Sequence, residues 1–245
     1  MPVAWITGGA RRIGKGLALR LAELGYDISF TYRTSQQEAE TVRDQITELG
    51  RVCVTMECDV RIEGELENVF RRSANDIGVP DVVISNVGVY PARQNISMVN
   101  EQDVTDALAI NTLPLLTIGR VYHELCTQHG SVGRIVSIGS LGAHEIWRDR
   151  IAYNVSKSAL HTMVQTLARG LAPVISVNSV APGIIEQPSD VAEHERSGLV
   201  GLDRIPMQRY GNIDDVFEAV WFFTNATPYI TGQTILVDGG YHLTR

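Results

Sequence analysis

The sequence predicts an α/β protein with one doubly wound parallel sheet of about seven strands and helices on both faces. Seven short apolar runs are separated by segments with apolar residues at helical spacing. The runs are almost continuously apolar instead of alternating, which is typical of strands covered on both sides. The chain has no internal repeat, low-complexity tract or linker. We therefore expect a single domain over residues 1–245.

The elements follow one another in regular alternation. Strands are expected at 3–7, 27–32, 51–58, 81–85, 134–138, 176–180 and 234–237. Helices are expected at about 13–24, 36–49, 63–77, 103–126, 152–171 and 213–224. Right-handed crossovers place ligands at the carboxyl ends of such strands. The segment 184–206 is polar, is interrupted by Gly and Pro, and is either a substrate loop beside those ends or a surface excursion.

Composition narrows the function classes. The net charge of −7 argues against a surface for nucleic acid or anionic membranes. No apolar run approaches the roughly 18 residues of a membrane span, and residues 1–6 contain no basic leader. Cys53, Cys58 and Cys126 are scattered, which is typical of a reducing compartment. We expect a soluble, cytoplasmic protein that acts on a small molecule and holds no metal.

A glycine-rich turn, residues 7–16, joins the first strand to the first helix. Glycines there let the backbone approach a pyrophosphate, and the helix N-terminus offers N–H donors, although an ordinary strand–helix turn looks the same. The second strand ends at Arg33, where a protein that binds NAD usually has an acidic residue. An arginine favours a 2′-phosphate, and therefore NADPH, and Arg11 adds to this charge. Alternatively, Arg33 is an ordinary exposed arginine that contacts no phosphate.

Tyr153 and Lys157 are four residues apart on a predicted helix and therefore share one face. A phenol with an ordinary pKa near 10 is a poor acid or base at neutral pH, and an adjacent ammonium lowers that pKa. The ammonium can also donate to ribose hydroxyls. Only Lys15 and Lys157 are lysines among the 21 Lys and Arg residues. The spacing predicts a proton-transfer pair.

Two further polar residues are candidates for the same site. Ser140 follows the strand at 134–138, where its hydroxyl could polarise a carbonyl oxygen or cap a local turn. Asn111 lies in an otherwise apolar helix. A buried amide needs a partner, and a helix–strand hydrogen bond is one way to supply it.

These residues stand in the order and spacing of a known family. The chain resembles the short-chain dehydrogenases/reductases over nearly its whole length, from Thr7-Gly8 and Asn86-Val87-Gly88 to Tyr153-xxx-Lys157 and Pro182-Gly183, with similar endings at 229–233 and 237–240. The resemblance implies a Rossmann-like fold and catalysis by Asn111, Ser140, Tyr153 and Lys157, with Asn111 holding a water that feeds protons to the lysine. It implies that Asp59 and Val60 hold the adenine. The implied cofactor contacts are Gly8, Arg11, Arg12, Ile13, Gly14, Arg33, Asp59, Val60, Asn86, Gly88, Tyr153, Lys157, Pro182, Gly183 and Ile185.

The substrate is indicated by departures from the common pattern. Arg12 stands where most members have glycine, which, with residues 31–33, makes the chain similar to pteridine and dihydromonapterin reductases. These place an aromatic residue, here Tyr90, against a pterin. We expect Tyr90, Arg12 and Trp147 to contact the substrate. In contrast, those reductases tend to have aspartate at Ser140 and serine at Gly88, and a serine at 140 suits a ketone or alcohol better.

Four functions follow from the sequence. The first is an NADPH-dependent carbonyl reductase or alcohol dehydrogenase, and the second is a pteridine reductase. The third is a 3-oxoacyl-carrier-protein reductase, which is less favoured because residues 170–174 contain no basic side chain for an acidic partner. The fourth, a catalytically silent NADP-sensing protein, is disfavoured because Tyr153 and Lys157 are both present. The resemblance also implies a homotetramer or homodimer.

Overall fold

The computed structural model describes residues 1–186 and 200–244. Its centre is a seven-stranded sheet with the order β3-β2-β1-β4-β5-β6-β7, in which every neighbouring pair is parallel. The predicted doubly wound sheet is confirmed. The strands are β1 (Val3–Ile6), β2 (Asp27–Tyr32), β3 (Cys53–Glu57), β4 (Val82–Ser85), β5 (Gly133–Ile138), β6 (Ile175–Pro182) and β7 (Thr234–Val237).

The α-helices of the described residues are α1 (Arg12–Glu23), α2 (Gln36–Glu48), α3 (Glu65–Ile77), α4 (Glu101–Asn111), α5 (Leu113–His129), α6 (Ile151–Gly170) and α7 (Ile213–Asn225). The expectation of one continuous helix over 103–126 is wrong, because the chain breaks at Thr112 between α4 and α5. Pro114 lies in the first turn of α5 and has no N–H to continue the ladder of α4. The Thr112 hydroxyl instead donates to the Ser156 carbonyl.

Alternate residues of the central strands bury into two separate cores, one on each face of the sheet. Ala4 and Ile6 pack with α1, α2 and α7, whereas Trp5 between them packs with α3, α5 and α6. The Trp5 ring stacks on Phe70 of α3 at 4.2 Å between centroids. Burial on both faces explains why the strands read as continuous apolar runs.

From β1 the chain builds the sheet outward through β2 to β3, and it then crosses back through α3 to place β4 on the other side of β1. The strand order therefore reverses between β1 and β4. Clefts in doubly wound sheets form at this point, at the carboxyl ends of the strands. Of the predicted substrate loop 184–206, residues 187–199 lie outside the described residues. At its ends, Ile185 forms a parallel bridge with Gly211, and Ile205 is buried. In the described part of the chain, no helix is both long and apolar enough to cross a bilayer.

Candidate active site

A cleft of about 1460 Å³ opens at the carboxyl ends of the strands. It brings together most residues that the sequence assigned to cofactor, substrate and catalysis. Asn111, Asp59 and Val60 are the assigned residues that do not line it. The assigned residues that do are Gly8, Arg11, Arg12, Ile13, Gly14, Arg33, Asn86, Gly88, Tyr90, Ser140, Trp147, Tyr153, Lys157, Pro182, Gly183 and Ile185.

The turn between β1 and α1 forms one end of this cleft, here called the nucleotide end. Gly8 has a φ of +69°. A Cβ on Gly14 would lie 2.0 Å from the Gly8 carbonyl oxygen, so only glycine allows this close turn. The N-cap residue of α1, Arg11, does not cap the helix with its side chain, and the first turn of α1 carries no acidic residue. The positive end of the helix dipole at this turn favours an anion.

Arg12 adopts an uncommon backbone conformation at the start of α1. Its φ is +50°, in the left-handed region that glycine occupies without strain. This explains why glycine is the usual residue of such a turn. The side chain of Arg12 is exposed and lines the cleft. Arg12 thus has a strained backbone conformation, and its guanidinium lines the cleft.

Asn86 connects the ends of β1 and β4 at the floor of the cleft. Its side-chain amide donates to the carbonyl oxygens of Thr7, at 2.9 Å, and Gly8, at 3.0 Å. The Thr7 hydroxyl accepts from the backbone amides of Asn86 and Val87. Asn86 therefore shapes the glycine-rich turn as well as lining the cleft.

Asp59 follows β3 and is engaged by a neighbour. Its carboxylate forms an ion pair with Arg61, and this hydrogen bond, aided weakly by the charge of Arg33, lowers the pKa of Asp59 to about 2. Val60 is half-buried against the core beside α3 and α5. Contact of these two residues with an adenine remains a prediction.

Lys157 lines the cleft, one turn of α6 after Tyr153. It is only 5% exposed, and its Nζ donates to the Ile138 carbonyl oxygen at 3.2 Å. Burial lowers the pKa of Lys157 from 10.5 to about 8, because the charged form loses its water. The ammonium is thus held at a fixed place beside the end of β5.

Ser140 lies close to the ring of Tyr153. Its Oγ accepts from the backbone amide of Gly142 at 3.0 Å, which leaves the hydroxyl proton able to donate to another group. A Cβ on Gly142 would lie 3.0 Å from Cε1 of Tyr153 and 3.4 Å from the Ser140 Oγ. Gly142 therefore lets the hydroxyl and the phenol approach one another, a role that the sequence did not assign.

Asn111 ends α4 and is fully engaged by protein groups. Its Oδ1 accepts from the Val89 amide at 2.7 Å, and its Nδ2 donates to the Val89 carbonyl and to Ser156 Oγ. Its backbone partner is thus the loop after β4 and not a strand, which was the partner expected from the sequence. A Cβ on Gly88 would lie 3.2 Å from this Oδ1 and 3.6 Å from Lys157 Nζ. Asn111 thus fixes the loop that passes beside the lysine.

Aromatic rings surround Tyr153 at the other end of the cleft, here called the catalytic end. The ring of Trp147 lies nearly parallel to that of Tyr153, with centroids 5.8 Å apart. The ring of Tyr90 meets Tyr153 at right angles, with centroids 4.6 Å apart. Two of the three predicted substrate residues, Tyr90 and Trp147, are therefore next to the predicted catalytic phenol, although they come from distant parts of the chain. The third, Arg12, lies at the nucleotide end of the same cleft.

Comparison with known proteins agrees with this geometry. A family model described as enoyl-(acyl carrier protein) reductase matches residues 8–242. The chain is 30% identical over 244 residues to 3-oxoacyl-[acyl-carrier-protein] reductase FabG of Staphylococcus epidermidis, with 98% of each chain covered. The chain belongs to the short-chain dehydrogenase/reductase family. It is thus an oxidoreductase of a family that uses a nicotinamide cofactor.

Two other short-chain dehydrogenases/reductases differ from FabG in their described activities. The chain is 31% identical over 246 residues to carbonyl reductase family member 4 of Xenopus laevis, again with 98% of each covered. The crystal structure of FolM alternative dihydrofolate reductase 1 from Brucella canis complexed with NADP has a TM-score of 0.87 and 25% identity, over 99% of this chain and 94% of that chain. These relatives thus share one family and differ in the activities that their names describe.

Proposed function

We propose that this protein is an NADPH-dependent oxidoreductase that interconverts a small carbonyl compound and its alcohol. The observation that supports it is one cleft in which Ser140, Tyr153 and the buried Lys157 face a nucleotide end that carries Arg33. A serine hydroxyl beside a phenol suits an oxygen that changes between carbonyl and alcohol.

The residues present fit a phosphorylated dinucleotide. Nine of the residues that line the cleft are Lys or Arg and two are Asp or Glu, in a chain with a net charge of −7. The N-terminal amides of α1 would hold the pyrophosphate, and Arg11, Arg12 and Arg33 would hold the 2′-phosphate. When bound, the cofactor supplies or accepts the hydride of the reaction.

The chain's own residues manage the proton. In the reducing direction, Ser140 donates a hydrogen bond to the carbonyl oxygen, and Tyr153 gives that oxygen its proton. The phenolate that remains would be stabilised by the Lys157 ammonium, whose field is little screened by water because the side chain is buried. Asn111 acts through position, because its bonds to Val89 and Ser156 connect the loop after β4 to the helix that carries Tyr153 and Lys157.

A pterin reductase is the second candidate. Tyr90 and Trp147 beside Tyr153, and Arg12 on the same cleft, favour a flat substrate with polar edges. The resemblance to a FolM protein complexed with NADP supports it as well. Ser140 and Gly88 favour the first candidate: a side chain at position 88 would crowd Asn111 and Lys157.

A substrate panel separates these functions. The oxidation of NADPH and NADH would be followed with ketones, a dihydropterin and a 3-oxoacyl thioester, at equal enzyme and cofactor concentrations. We expect turnover with at least one ketone and a kcat/KM for NADPH at least about tenfold above that for NADH. Turnover of the dihydropterin alone supports the second candidate. No turnover of any substrate, together with intact NADPH binding, supports a silent sensor and contradicts the proposal.

A further inference from the structure

Two buried charged residues, Glu145 and Arg150, lie in the loop between Ser140 and α6. Glu145 is 7% exposed and Arg150 is 3% exposed, whereas Arg148 between them is an exposed side chain. Burying a charge is unfavourable unless specific contacts compensate it. Each of the two contacts one aromatic residue of the catalytic end.

Trp147 is held at three points. Its indole Nε1 donates to Glu145 Oε2 at 3.1 Å, and its backbone carbonyl accepts from Asn154 Nδ2 at 2.8 Å. Its ring lies against that of Tyr153 at an interplanar angle of 12°. Asn154 directly follows Tyr153 on α6, so the backbone of Trp147 is tied to the same turn of helix as the phenol.

Tyr90 is held in a parallel way by Arg150. The guanidinium lies over the Tyr90 ring, 4.0 Å from its centroid, and it donates to the backbone carbonyl of Pro91, the next residue. A cation over an aromatic face is favourable, and more so where water is excluded. Arg150 thus holds both the ring of Tyr90 and the backbone next to it.

The segments that carry Tyr90 and Trp147 are also connected to each other. The Gln94 amide donates to the Asp149 carbonyl oxygen at 3.0 Å, and the Asn154 amide donates to the Arg150 carbonyl oxygen at 2.8 Å. The loop after β4 is therefore bonded to the loop before α6. The rings of Tyr90 and Trp147 also contact each other, with centroids 6.2 Å apart. A displacement of one ring would therefore disturb the other.

We propose that Glu145 and Arg150 are positioning residues that hold Trp147 and Tyr90 as preformed aromatic walls, so that the cleft prefers carbonyl substrates with a conjugated ring next to the carbonyl. This proposal rests on the proposed function of the same site. Aromatic side chains attract flat rings through edge and face contacts that a saturated ring of the same size cannot make. Walls that are already ordered lose little freedom when the substrate binds.

The test uses two ketones of nearly equal size, 1-phenylethanone and 1-cyclohexylethanone, which differ in ring aromaticity. The wild-type protein should have a KM about fivefold lower for the phenyl ketone. Glu145→Ala and Arg150→Met should each remove most of that preference by raising the KM for the phenyl ketone, with kcat changed less than about threefold. Glu145→Gln keeps an oxygen that can accept from the indole and should restore the preference. Glu218→Gln, an exposed change of the same kind on α7, is the control.

Quenching of tryptophan fluorescence by the same ketones, measured with NADPH present, gives a readout that does not need turnover. If neither ketone is reduced but the phenyl ketone still binds more tightly, the proposed function fails and the aromatic subsite stands. Equal binding and equal KM values for the two ketones in the wild-type protein overturn the subsite. An unchanged ratio of KM values in Glu145→Ala and Arg150→Met, with folding intact, overturns the positioning role.

Discussion

The two ends of the cleft are built in different ways. The nucleotide end consists of a tight glycine turn, the N-terminus of α1 and the exposed side chains of Arg11, Arg12 and Arg33. The catalytic end instead holds its reactive groups in place with buried side chains, among them Lys157 and Ser140. Exposed charges contribute little to stability, whereas a buried charge costs several kcal/mol before any partner is counted. Loss of an exposed charge at the nucleotide end should therefore change mainly cofactor affinity, whereas loss of a buried reactive group such as Lys157 should change turnover and stability together.

The largest expected effect comes from Lys157→Met. Loss of the ammonium should lower kcat by at least about 10²-fold. The same change removes a buried charge, whose pKa burial lowers from 10.5 to about 8, and we expect the free energy of unfolding of the cofactor-free protein to rise by about 3 kcal/mol at pH 7. Chemical unfolding and steady-state rates check the two effects.

The pH dependence of this gain follows from the direction of the shift. Below about pH 8 Lys157 is charged in both the folded and the unfolded chain, so the whole penalty is present. Between pH 8 and 10.5 the folded state releases its proton first, and the wild-type protein gains stability relative to the variant. The difference should shrink across that interval. Lys15→Met, at a partly exposed position of α1, is the control. An advantage for Lys157→Met that is constant from pH 7 to 10.5 contradicts the account.

Arg33→Asp should have the second-largest effect and should act on the cofactor alone. Loss of a charge-assisted contact and gain of a negative charge should raise the KM for NADPH about 10- to 100-fold and lower that for NADH. The free energy of unfolding should stay within about 0.5 kcal/mol of wild type, because Arg33 is exposed. Arg72→Asp makes the same change of charge on α3, outside the cleft. An unchanged NADPH-to-NADH ratio in Arg33→Asp rules out the 2′-phosphate contact.

The smallest effect separates charge from backbone strain at Arg12. Arg12→Ala and Arg12→Gly both remove the guanidinium and should raise the KM for NADPH by the same few-fold factor. Because φ is +50° at this position, the glycine variant should be about 1 kcal/mol more stable than the alanine variant. At Arg11, whose φ is −142°, glycine should not be the more stable of the pair. Equal stability of the two Arg12 variants indicates that the left-handed turn is not maintained in solution.

The difference between the two ends of the cleft also explains how much could be predicted from the sequence. The nucleotide end depends on the backbone and on local order, so the run from Thr7 to Gly14 predicted its place and shape. Tyr153 and Lys157 were likewise predicted, because helical spacing alone brings them together. The Thr112–Pro114 break was missed, although Pro114 was a signal for it, because the apolar pattern continues through it.

The partners of the catalytic end could not be predicted locally. Asn111 bonds to Val89, 22 residues earlier, and Tyr90 meets Trp147 and Tyr153 across the sheet edge. Such contacts depend on how the loops after β4 and β5 pack, which no periodicity encodes. The hydrogen bond between Glu145 and Trp147 was also not predicted, since a charged loop residue is usually solvated. Its one local indication was that the two residues are only two positions apart. The burial of Lys157 needed the structure as well.

Tyr153→Phe gives the most direct test of the central claim, that a phenol beside a buried ammonium transfers the proton. Turnover of the best ketone and NADPH affinity, measured by fluorescence titration, would be compared in wild type, Tyr153→Phe and the exposed control Tyr229→Phe. We predict a fall in kcat of about 10²- to 10⁴-fold in Tyr153→Phe, with NADPH affinity within about threefold of wild type and an unaffected control. A Tyr153→Phe protein that binds NADPH and turns over within threefold of wild type contradicts the account.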